Sequence, residues 1–129
     1  LPFATAAAFT KPGVPVVAVM GDGTFGFHSS ELDTAVRYQL PFIGVVGNDA
    51  CWNAEYQIQI REYGQERAKG CELLPSRYDQ VALAFGGAGE LVTDALDVLP
   101  AAQRLQAKSL PAILNILIEG LPAPNLKRS

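Results

Sequence analysis

Polar side chains follow two short apolar runs of this sequence, at positions where they could take part in phosphate or metal chemistry. The first group is the stretch Gly21–Gly26 (GDGTFG), which directly follows the apolar run Pro15–Met20. Its glycine spacing matches the GxGxxG pattern of dinucleotide-binding turns, so a Rossmann-type site is one interpretation. Asp22 argues against it, because a carboxylate between the glycines would repel a bare diphosphate unless a divalent cation lay between them.

The position of the next helix also bears on the dinucleotide interpretation. A Rossmann helix begins within the glycine turn, so that its first N–H groups meet the pyrophosphate. The first good helix caps in this sequence are Ser29 and Ser30, several residues beyond the turn. We therefore expect the helix to begin after His28, which favours a metal-dependent phosphate site over a dinucleotide site.

A second polar turn follows the apolar run Phe42–Val46 (FIGVV) and contains Asn48 and Asp49. Asn and Asp supply the hard oxygen atoms that Mg²⁺ prefers. Right-handed crossovers between parallel strands would bring both turns to the carboxyl edge of the sheet, where open α/β sheets bind ligands. Both turns can therefore converge on one metal ion.

Helical and strand-like segments alternate along the chain and predict a layered α/β fold. The strand-like runs are apolar at nearly every position, as expected of parallel strands that helices cover on both faces. The polar segment Asn53–Gly70 is expected to be partly helical or mobile, and we predict that it is the least ordered part of the chain. The other expected elements are helices over Phe3–Thr10, from Ser29 or Ser30 to Gln39, over Arg77–Phe85 and over Ala95–Lys108, and strands at Pro15–Met20, Phe42–Val46, Glu90–Thr93 and Ala112–Ile118, before a Pro-rich basic tail, Pro122–Ser129.

The composition is that of a globular domain, since 49% of the 129 residues are hydrophobic and 18% are charged. The 10 Lys and Arg against 13 Asp and Glu give a net charge of −3, so we expect no nucleic-acid partner. No apolar run approaches the length of a membrane span. Cys51 and Cys71 are too far apart for a CxxC motif and suit a cytoplasmic protein with reduced thiols. The sequence opens on Leu1 inside a helical pattern, so we expect one domain, residues 1–129, that is truncated at its N terminus.

The stretch Gly21–Cys51 resembles the GDG…NN cofactor motif of thiamine-diphosphate-dependent enzymes. The likeness is closest to the branch that contains acetolactate synthase, benzoylformate decarboxylase and 2-hydroxyacyl-CoA lyase, and it includes Glu31-Leu32, Arg37 and Leu40-Pro41 around the helix between the two turns. The resemblance covers essentially the whole chain. It implies a three-layer α/β/α fold with a parallel sheet, which in this family is the C-terminal pyrophosphate-binding domain.

The resemblance also implies a set of metal ligands. Asp22 and Asp49 would bind Mg²⁺ through their carboxylates, and Cys51 would contribute only its backbone carbonyl. We therefore expect the two carboxylates to lie within about 6 Å of one another. Most members of the family have Asn where this chain has Asp49. Metal binding should survive that substitution, because the carboxylate is a harder oxygen donor than the amide.

The remaining implied roles concern the diphosphate. Gly23 and Thr24 would offer N–H groups to it, Thr24 would add its hydroxyl, and Asn48 would brace the second turn. Trp52 is the last residue of the stretch 21–52, in which the specificity of the resemblance is concentrated. The cofactor-binding residues implied in this way are Gly21, Asp22, Gly23, Thr24, Asn48, Asp49, Cys51 and Trp52.

The function implied is that of a thiamine diphosphate and Mg²⁺ binding domain in a carboligase or decarboxylase, a transferase or lyase that acts on 2-oxo acids or 2-hydroxyacyl-CoA. In the family, the essential glutamate belongs to a pyrimidine-binding domain of another subunit. The resemblance therefore implies a homo-oligomer and assigns no catalytic residue to this chain, which alone would be inactive. Two alternatives stay open, namely a metal-free Rossmann-like dinucleotide-binding module and a non-catalytic remnant of the same fold.

Four other residues have more than one interpretation. His28, the only histidine, either takes part in catalysis, faces the substrate side or packs under its loop. Trp52, Tyr56 and Tyr63 either line a substrate channel or serve as packing groups. A chain with apolar strands and no partner domain is also expected to expose an apolar patch, and so to self-associate or to need its missing segments for solubility.

Overall fold

A computed structural model describes residues 1–122 of the chain. Helices and strands alternate along it, and the three clearly apolar runs all form strands, as predicted. The strands are β1 (Val17–Gly21), β2 (Ile43–Asn48), β3 (Ala88–Val92) and β4 (Ala112–Leu117), and the helices are α1 (Pro2–Thr10), α2 (Asp22–Phe27), α3 (Glu31–Arg37), α4 (Asn53–Tyr63), α5 (Tyr78–Ala84) and α6 (Val98–Ala107), with 3-10 turns at Gln65–Arg67 and Ala95–Asp97.

The strands form one parallel sheet in the order β1-β2-β4-β3. β1 is paired with β2 along its whole length, from Val17 opposite Ile43 to Gly21 opposite Gly47. The connection from β1 to β2 runs through α2 and α3, and the connection from β3 to β4 runs through α6. Because parallel strands end on the same side, the residues that follow β1 and β2 lie together at the carboxyl edge of the sheet.

The helices cover the sheet on both faces and produce three layers. On one face, Phe25 of α2 packs in a cluster with Ile113 of β4, and residues of α1, α3 and α5 belong to the same cluster. On the other face, Leu105 of α6 packs with Leu114 of β4. Ile113 and Leu114 are adjacent and both buried, because successive strand residues point to opposite faces. The predicted α/β/α fold with a parallel sheet is therefore confirmed.

A helix begins at Asp22, directly after β1, whereas the sequence predicted a helix only after residue 28. The residue before α2 is extended (φ −79°, ψ 164°), and the Asp22 carboxylate accepts a hydrogen bond from the Gly23 N–H at 2.8 Å. Two glycines disfavour this helix locally, but Phe25 is buried and lies edge to face with Tyr78 at 5.1 Å. The prediction that the helix begins after residue 28 was wrong. The position of the helix is therefore no argument against a dinucleotide site.

Other boundaries differ from the expected ones by about a turn of chain or less. Helix α3 ends at Arg37 rather than Gln39, whose backbone is left-handed (φ 53°). Strand β3 begins at Ala88 rather than Glu90. Pro100 is the third residue of α6, in the first turn, where a helix tolerates proline.

The polar segment Asn53–Gly70 is partly helical, through α4 and the 3-10 turn that follows it. No residue of α4 is fully buried, and its low order stays a prediction. Of the predicted basic tail, residues 123–129 lie outside the described part of the chain. None of the helices within residues 1–122 combines the length and apolar character needed to cross a bilayer.

The outer side of β1 is uncovered within residues 1–122. β1 pairs only with β2, and Val17 and Val19 on one of its faces are exposed. A groove of about 430 Å³ lies beside Val17, and Ile43 and Leu99 are among the other residues that line it. Exposed apolar surface of this kind was expected from the sequence, whereas self-association stays a prediction.

Candidate functional site

Asp22 is the most deeply buried acidic side chain at the carboxyl edge of the sheet. It is 2% exposed and occupies the first position of α2, directly after β1. Its Oδ1 accepts the hydrogen bond from Gly23 N–H, but its Oδ2 is buried and has no hydrogen-bond partner among residues 1–122. A buried carboxylate oxygen without a partner is costly, so this atom is suited to bind a cation.

The electrostatic surroundings of Asp22 place the second polar turn beside it. Burial raises the pKa of the Asp22 carboxyl above its usual range, and the negative charge of Asp49 raises that pKa further. The backbone N–H groups of Gly23, Cys51 and Ala50 lower it, with the largest effect from Gly23, whose N–H donates to Oδ1 at 2.8 Å. The turn after β2 therefore faces the Asp22 carboxylate, and the two acidic side chains lie at the same edge of the sheet.

Asn48, the last residue of β2, holds the second turn in place. Its side chain is buried, and its Oδ1 accepts a hydrogen bond from the Ala50 N–H at 3.2 Å. Its Nδ2 donates to the Ser76 carbonyl at 3.0 Å and to Asn115 Oδ1 at 3.1 Å. Ala50 has a left-handed backbone (φ 53°), which a residue with a side chain rarely adopts. The side-chain bond from Asn48 supports this unfavourable conformation.

The segment after the turn is fixed by a single antiparallel bridge. Cys51 stands opposite Glu72, because Trp52 N–H donates to the Cys71 carbonyl at 2.7 Å and Leu73 N–H donates to the Ala50 carbonyl at 2.7 Å. Within residues 1–122, no backbone N–H donates to the carbonyl of Cys51 itself. That carbonyl oxygen is consequently available to another ligand.

Asp49 is half-buried and lies next to the chain that follows β4. A Cβ atom added to Gly120 would stand 3.6 Å from Asp49 Oδ2. Nearby, Asn53 Nδ2 donates to the Leu121 carbonyl at 2.9 Å. The site is therefore bordered by three segments of the chain, those that follow β1, β2 and β4.

Trp52 covers Gly23. A Cβ atom at position 23 would stand 2.7 Å from the indole Cδ2, so only glycine fits beneath the ring in this arrangement. The indole also meets the Phe27 ring edge to face at 4.9 Å. Gly23 was expected to offer its N–H to a diphosphate, but that N–H donates to Asp22 Oδ1 in this structure.

The other residues predicted for the site lie at its open side. Gly21 and Thr24 are exposed, and the N–H of Thr24 is in the first turn of α2, where a helix provides no acceptor. His28 is exposed next to Phe27, with ring centroids 6.3 Å apart. Tyr63 is exposed at the end of α4, away from any of the described core clusters.

Sequence reasoning missed a buried polar network behind Asn48. Asn115 Nδ2 donates to Asp79 Oδ1 at 3.3 Å, and Asp79 forms an ion pair with Arg77 at 2.6 Å. A signal for this network was present, because Asn115 is the one polar residue in the apolar run Ala112–Ile118. A polar residue in a buried strand needs a partner, and the partners are distant in sequence.

A metal ion at this site would not be held by a dense cluster of acidic or imidazole groups. Within residues 1–122, no three His, Cys, Asp or Glu side chains are placed to hold one ion. The available donors are the Asp22 and Asp49 carboxylates and the Cys51 carbonyl. Such a small set of protein oxygens suits an ion that keeps ligands from phosphate and water, as Mg²⁺ does.

The chain matches a family model described as thiamine pyrophosphate enzyme, C-terminal TPP binding domain, over residues 1–116. It is 40% identical over 118 residues to a probable acetolactate synthase of Mycobacterium bovis, covering 91% of this chain and 21% of that protein. It is 34% identical over 131 residues to 2-hydroxyacyl-CoA lyase 2 of Xenopus laevis, covering 88% of this chain and 20% of that protein. The chain thus spans about a fifth of the length of these curated relatives.

The fold is also that of a solved enzyme structure. The thiamine diphosphate-dependent 4-hydroxybenzoylformate decarboxylase of Rhodococcus jostii RHA1 superposes with a TM-score of 0.84. The superposition covers 92% of this chain and 22% of that chain, at 21% sequence identity. At that identity the likeness concerns the fold alone.

Proposed function

The chain belongs to the thiamine pyrophosphate enzymes as a C-terminal TPP binding domain, and from this premise we propose that it holds the diphosphate of the cofactor through a Mg²⁺ ion at the carboxyl edge of the sheet. The single observation on which the metal proposal rests is the buried Oδ2 of Asp22, which has no hydrogen-bond partner in the described part of the chain. The family match over residues 1–116 argues against a metal-free dinucleotide-binding module.

The charges around the site support a divalent cation. Asp22 and Asp49 place two acidic groups at this edge, and a diphosphate would add further negative charge. The only Lys or Arg in the segment from residue 21 to residue 53 is Arg37, and its guanidinium pairs with Asp33 at 2.7 Å on α3. No basic side chain of that segment is left to compensate the charge of the phosphate, which supports a metal ion in that role.

Each residue of the candidate site has a separate role in this proposal. The Asp22 and Asp49 carboxylates and the Cys51 carbonyl would hold Mg²⁺, which when bound neutralises and anchors the diphosphate. Thr24 would donate to the phosphate oxygens from the open side. Asn48 keeps the second turn in its strained conformation, and thiamine diphosphate supplies a ring that stabilises carbanions.

For the whole protein, we propose an acetolactate-synthase-like carboligase or decarboxylase that acts on 2-oxo acids or 2-hydroxyacyl-CoA. The names of the relatives from Mycobacterium bovis and Xenopus laevis support this class. Such an enzyme needs a pyrimidine-binding domain from another subunit, so we propose a homo-oligomer. The free thiols of Cys51 and Cys71 support a reducing, cytoplasmic location.

The test is a titration of the full chain with thiamine diphosphate, in Mg²⁺ and in excess EDTA. Trp52 is the only tryptophan and lies at the site, so its fluorescence reports binding directly. We expect Mg²⁺ to strengthen binding at least about tenfold and Asp49→Ala to abolish that gain. Asp33→Ala, on the exposed face of α3, is the matched control and should bind like the wild type.

Equal affinity in Mg²⁺ and in EDTA would overturn the metal proposal. The remnant alternative has its own readout, which is decarboxylation of a 2-oxo acid such as pyruvate by the complete protein. Binding of Mg²⁺ and thiamine diphosphate without any turnover would favour a non-catalytic remnant of the fold.

A further inference from the structure

Asn115 is a fully buried amide in the middle of strand β4. It is 0% exposed, and its neighbours in the strand are apolar. Its Nδ2 donates to the Ser76 carbonyl and to Asp79 Oδ1, both at 3.3 Å, and its Oδ1 accepts from Asn48 Nδ2 at 3.1 Å. The NH₂ group of the amide therefore has two acceptors, and its carbonyl oxygen has a donor.

Asp79 is the charged end of this chain of hydrogen bonds. It is 1% exposed in the first turn of α5 and accepts two hydrogen bonds from Arg77, at 2.9 and 2.6 Å, and one from Gln80 at 3.1 Å. These bonds lower the pKa of the Asp79 carboxyl to about 2, and those from Arg77 have the largest effect. The carboxylate is thus ionised at neutral pH and can only accept hydrogen bonds.

The backbone around Asp79 is also fixed. A Cβ atom at Gly89 of β3 would overlap the Asp79 carbonyl, so α5 and β3 touch backbone to backbone at this point. Asp79 therefore cannot shift toward β3, and its carboxylate has a fixed position relative to Asn115.

Two acceptors, the Asp79 carboxylate next to Asn115 and the Ser76 carbonyl next to both Asn115 and Asn48, determine the orientation of two amides in series. Asn115 must turn its NH₂ group toward Asp79, and this leaves its Oδ1 to accept from Asn48. Asn48 must then turn its own NH₂ toward Asn115, and this leaves its Oδ1 to accept from Ala50 N–H. Reversing either amide would set donor against donor or acceptor against acceptor in a buried place.

We propose that Asp79 and Asn115 are positioning residues, which act through Asn48 to hold the turn from Asp49 to Cys51 in the conformation that binds the metal and diphosphate. The inference rests on the proposed function. It extends that function to a relay, the series of hydrogen bonds from Asp79 through Asn115 to Asn48, which reaches the ligands from the neighbouring strand β4. Neither residue is expected to touch the cofactor. Polar groups behind metal ligands commonly change metal affinity by about 10–100-fold when they are replaced.

The first test needs no metal and no cofactor. Asn115→Leu replaces the amide by an apolar group of similar volume within an apolar strand, and it cuts the link to Asn48. We expect hydrogen exchange of the Ala50 amide to accelerate at least about tenfold relative to Ile113→Ala, compared at equal free energy of unfolding. Ile113 is buried on the same face of β4, so its truncation controls for a general loss of stability.

The second test measures the Mg²⁺ concentration at half-maximal binding of thiamine diphosphate. We expect it to rise at least about tenfold in Asn115→Leu and in Asp79→Leu, and to stay near the wild-type value in Ile113→Ala. Asp79→Asn retains an oxygen that accepts from Asn115 and should restore most of the affinity lost in Asp79→Leu. This pair keeps the test decisive if Asn115→Leu does not fold.

The outcomes separate the two proposals. If Asn115→Leu and Ile113→Ala exchange Ala50 at the same corrected rate, or bind Mg²⁺ equally well, the positioning role is wrong. If the wild type binds thiamine diphosphate without any dependence on Mg²⁺, the proposed function fails, while the Ala50 exchange rates still show whether the relay holds the turn.

Discussion

The indole of Trp52 rests on the backbone of Gly23, with 2.7 Å between its Cδ2 atom and the point where a Cβ at position 23 would stand. These residues belong to the two turns that the sequence predicted to converge, one after β1 and one after β2. The absence of a side chain at Gly23 is therefore required by a contact between the turns. Trp52 in turn packs on Phe27, which ties the end of α2 to the start of α4.

Gly23→Ala should displace the indole of Trp52 and destabilise the domain by about 1–3 kcal/mol, as overpacking of a filled contact usually does. The emission of the single tryptophan should shift toward that of an exposed indole. Urea unfolding followed by tryptophan fluorescence measures both effects in one experiment. The control is Gly26→Ala in the same helix, where an added Cβ would meet no atom within 4 Å.

Gly26→Ala should leave the fluorescence unchanged and stabilise the domain by up to about 1 kcal/mol, because alanine favours a helix more than glycine does. Equal effects of the two substitutions would show that the indole does not press on Gly23.

Asp22→Asn should stabilise the domain by about 1 kcal/mol in the absence of metal, because it removes a buried charge that has an unpartnered oxygen. Thermal unfolding in EDTA measures this gain. With Mg²⁺ and thiamine diphosphate present the order should reverse, since the carboxylate of the wild type binds Mg²⁺ more tightly than a neutral amide and the wild type is stabilised more by its ligands. A lower melting temperature of Asp22→Asn in EDTA would contradict the assigned cost of this carboxylate.

Asp79 should contribute to stability in a pH-dependent way. Its pKa is about 2 in the folded chain, below the ordinary value of 3.8, so folding favours its charged form. Its contribution, about 1–2 kcal/mol after allowing for the half-exposed Arg77, is complete above about pH 4 and is lost as the pH falls toward 2. Urea unfolding of wild type and Asp79→Asn between pH 2 and pH 6 should give curves that converge at the acidic end. Parallel curves would mean that the Arg77 pair does not stabilise the charged form.

The uncovered side of β1 should mediate self-association of the chain at micromolar concentration. Val19→Lys places a charge in the exposed apolar strand and should shift the sedimentation profile toward the monomer. Leu74→Lys, at a side chain that is also 79% exposed, is the matched control and should have no such effect. A specific contact should bury more than about 1,000 Å². A clean monomer of the wild-type chain would show that the valines of β1 do not form an interface.

Segment 53–70 should exchange its amide hydrogens faster than the rest of the described chain. Helix α4 has no fully buried residue, whereas Ala101 and Leu105 of α6 are fully buried. Local opening of α4 therefore exposes little apolar surface and costs little free energy. Hydrogen exchange followed by mass spectrometry compares the two helices directly, and protection of α4 equal to that of α6 would disprove the prediction.

The strands and the two polar turns were predictable because their signals are local. β2 and β4 are apolar at successive positions, and each turn directly follows its strand in the sequence. Helix α2 was missed because its glycines weaken the local signal, while the contact of Phe25 with Tyr78 that stabilises it is distant in sequence.

The polar network behind the site was missed for a related reason. Asp79 and Asn115 meet only because β3 and β4 pair and α5 packs against both strands, and no short-range pattern encodes that meeting. The solitary Asn115 among apolar residues indicated a buried polar contact. Its partner became apparent only from the packing of α5.

The position of Asn115 also bears on how the sheet selects its alignment during folding. Asn115 lies opposite Val46 in the β2–β4 ladder and bonds to Asn48 two residues further along. A slip of β4 by one residue would turn this amide to the other face, among the apolar side chains that pack on α6, with no acceptor or donor for it. Misaligned pairings of β4 would thus be penalised by a buried, unsatisfied amide, and the native register would be favoured over its nearest competitors.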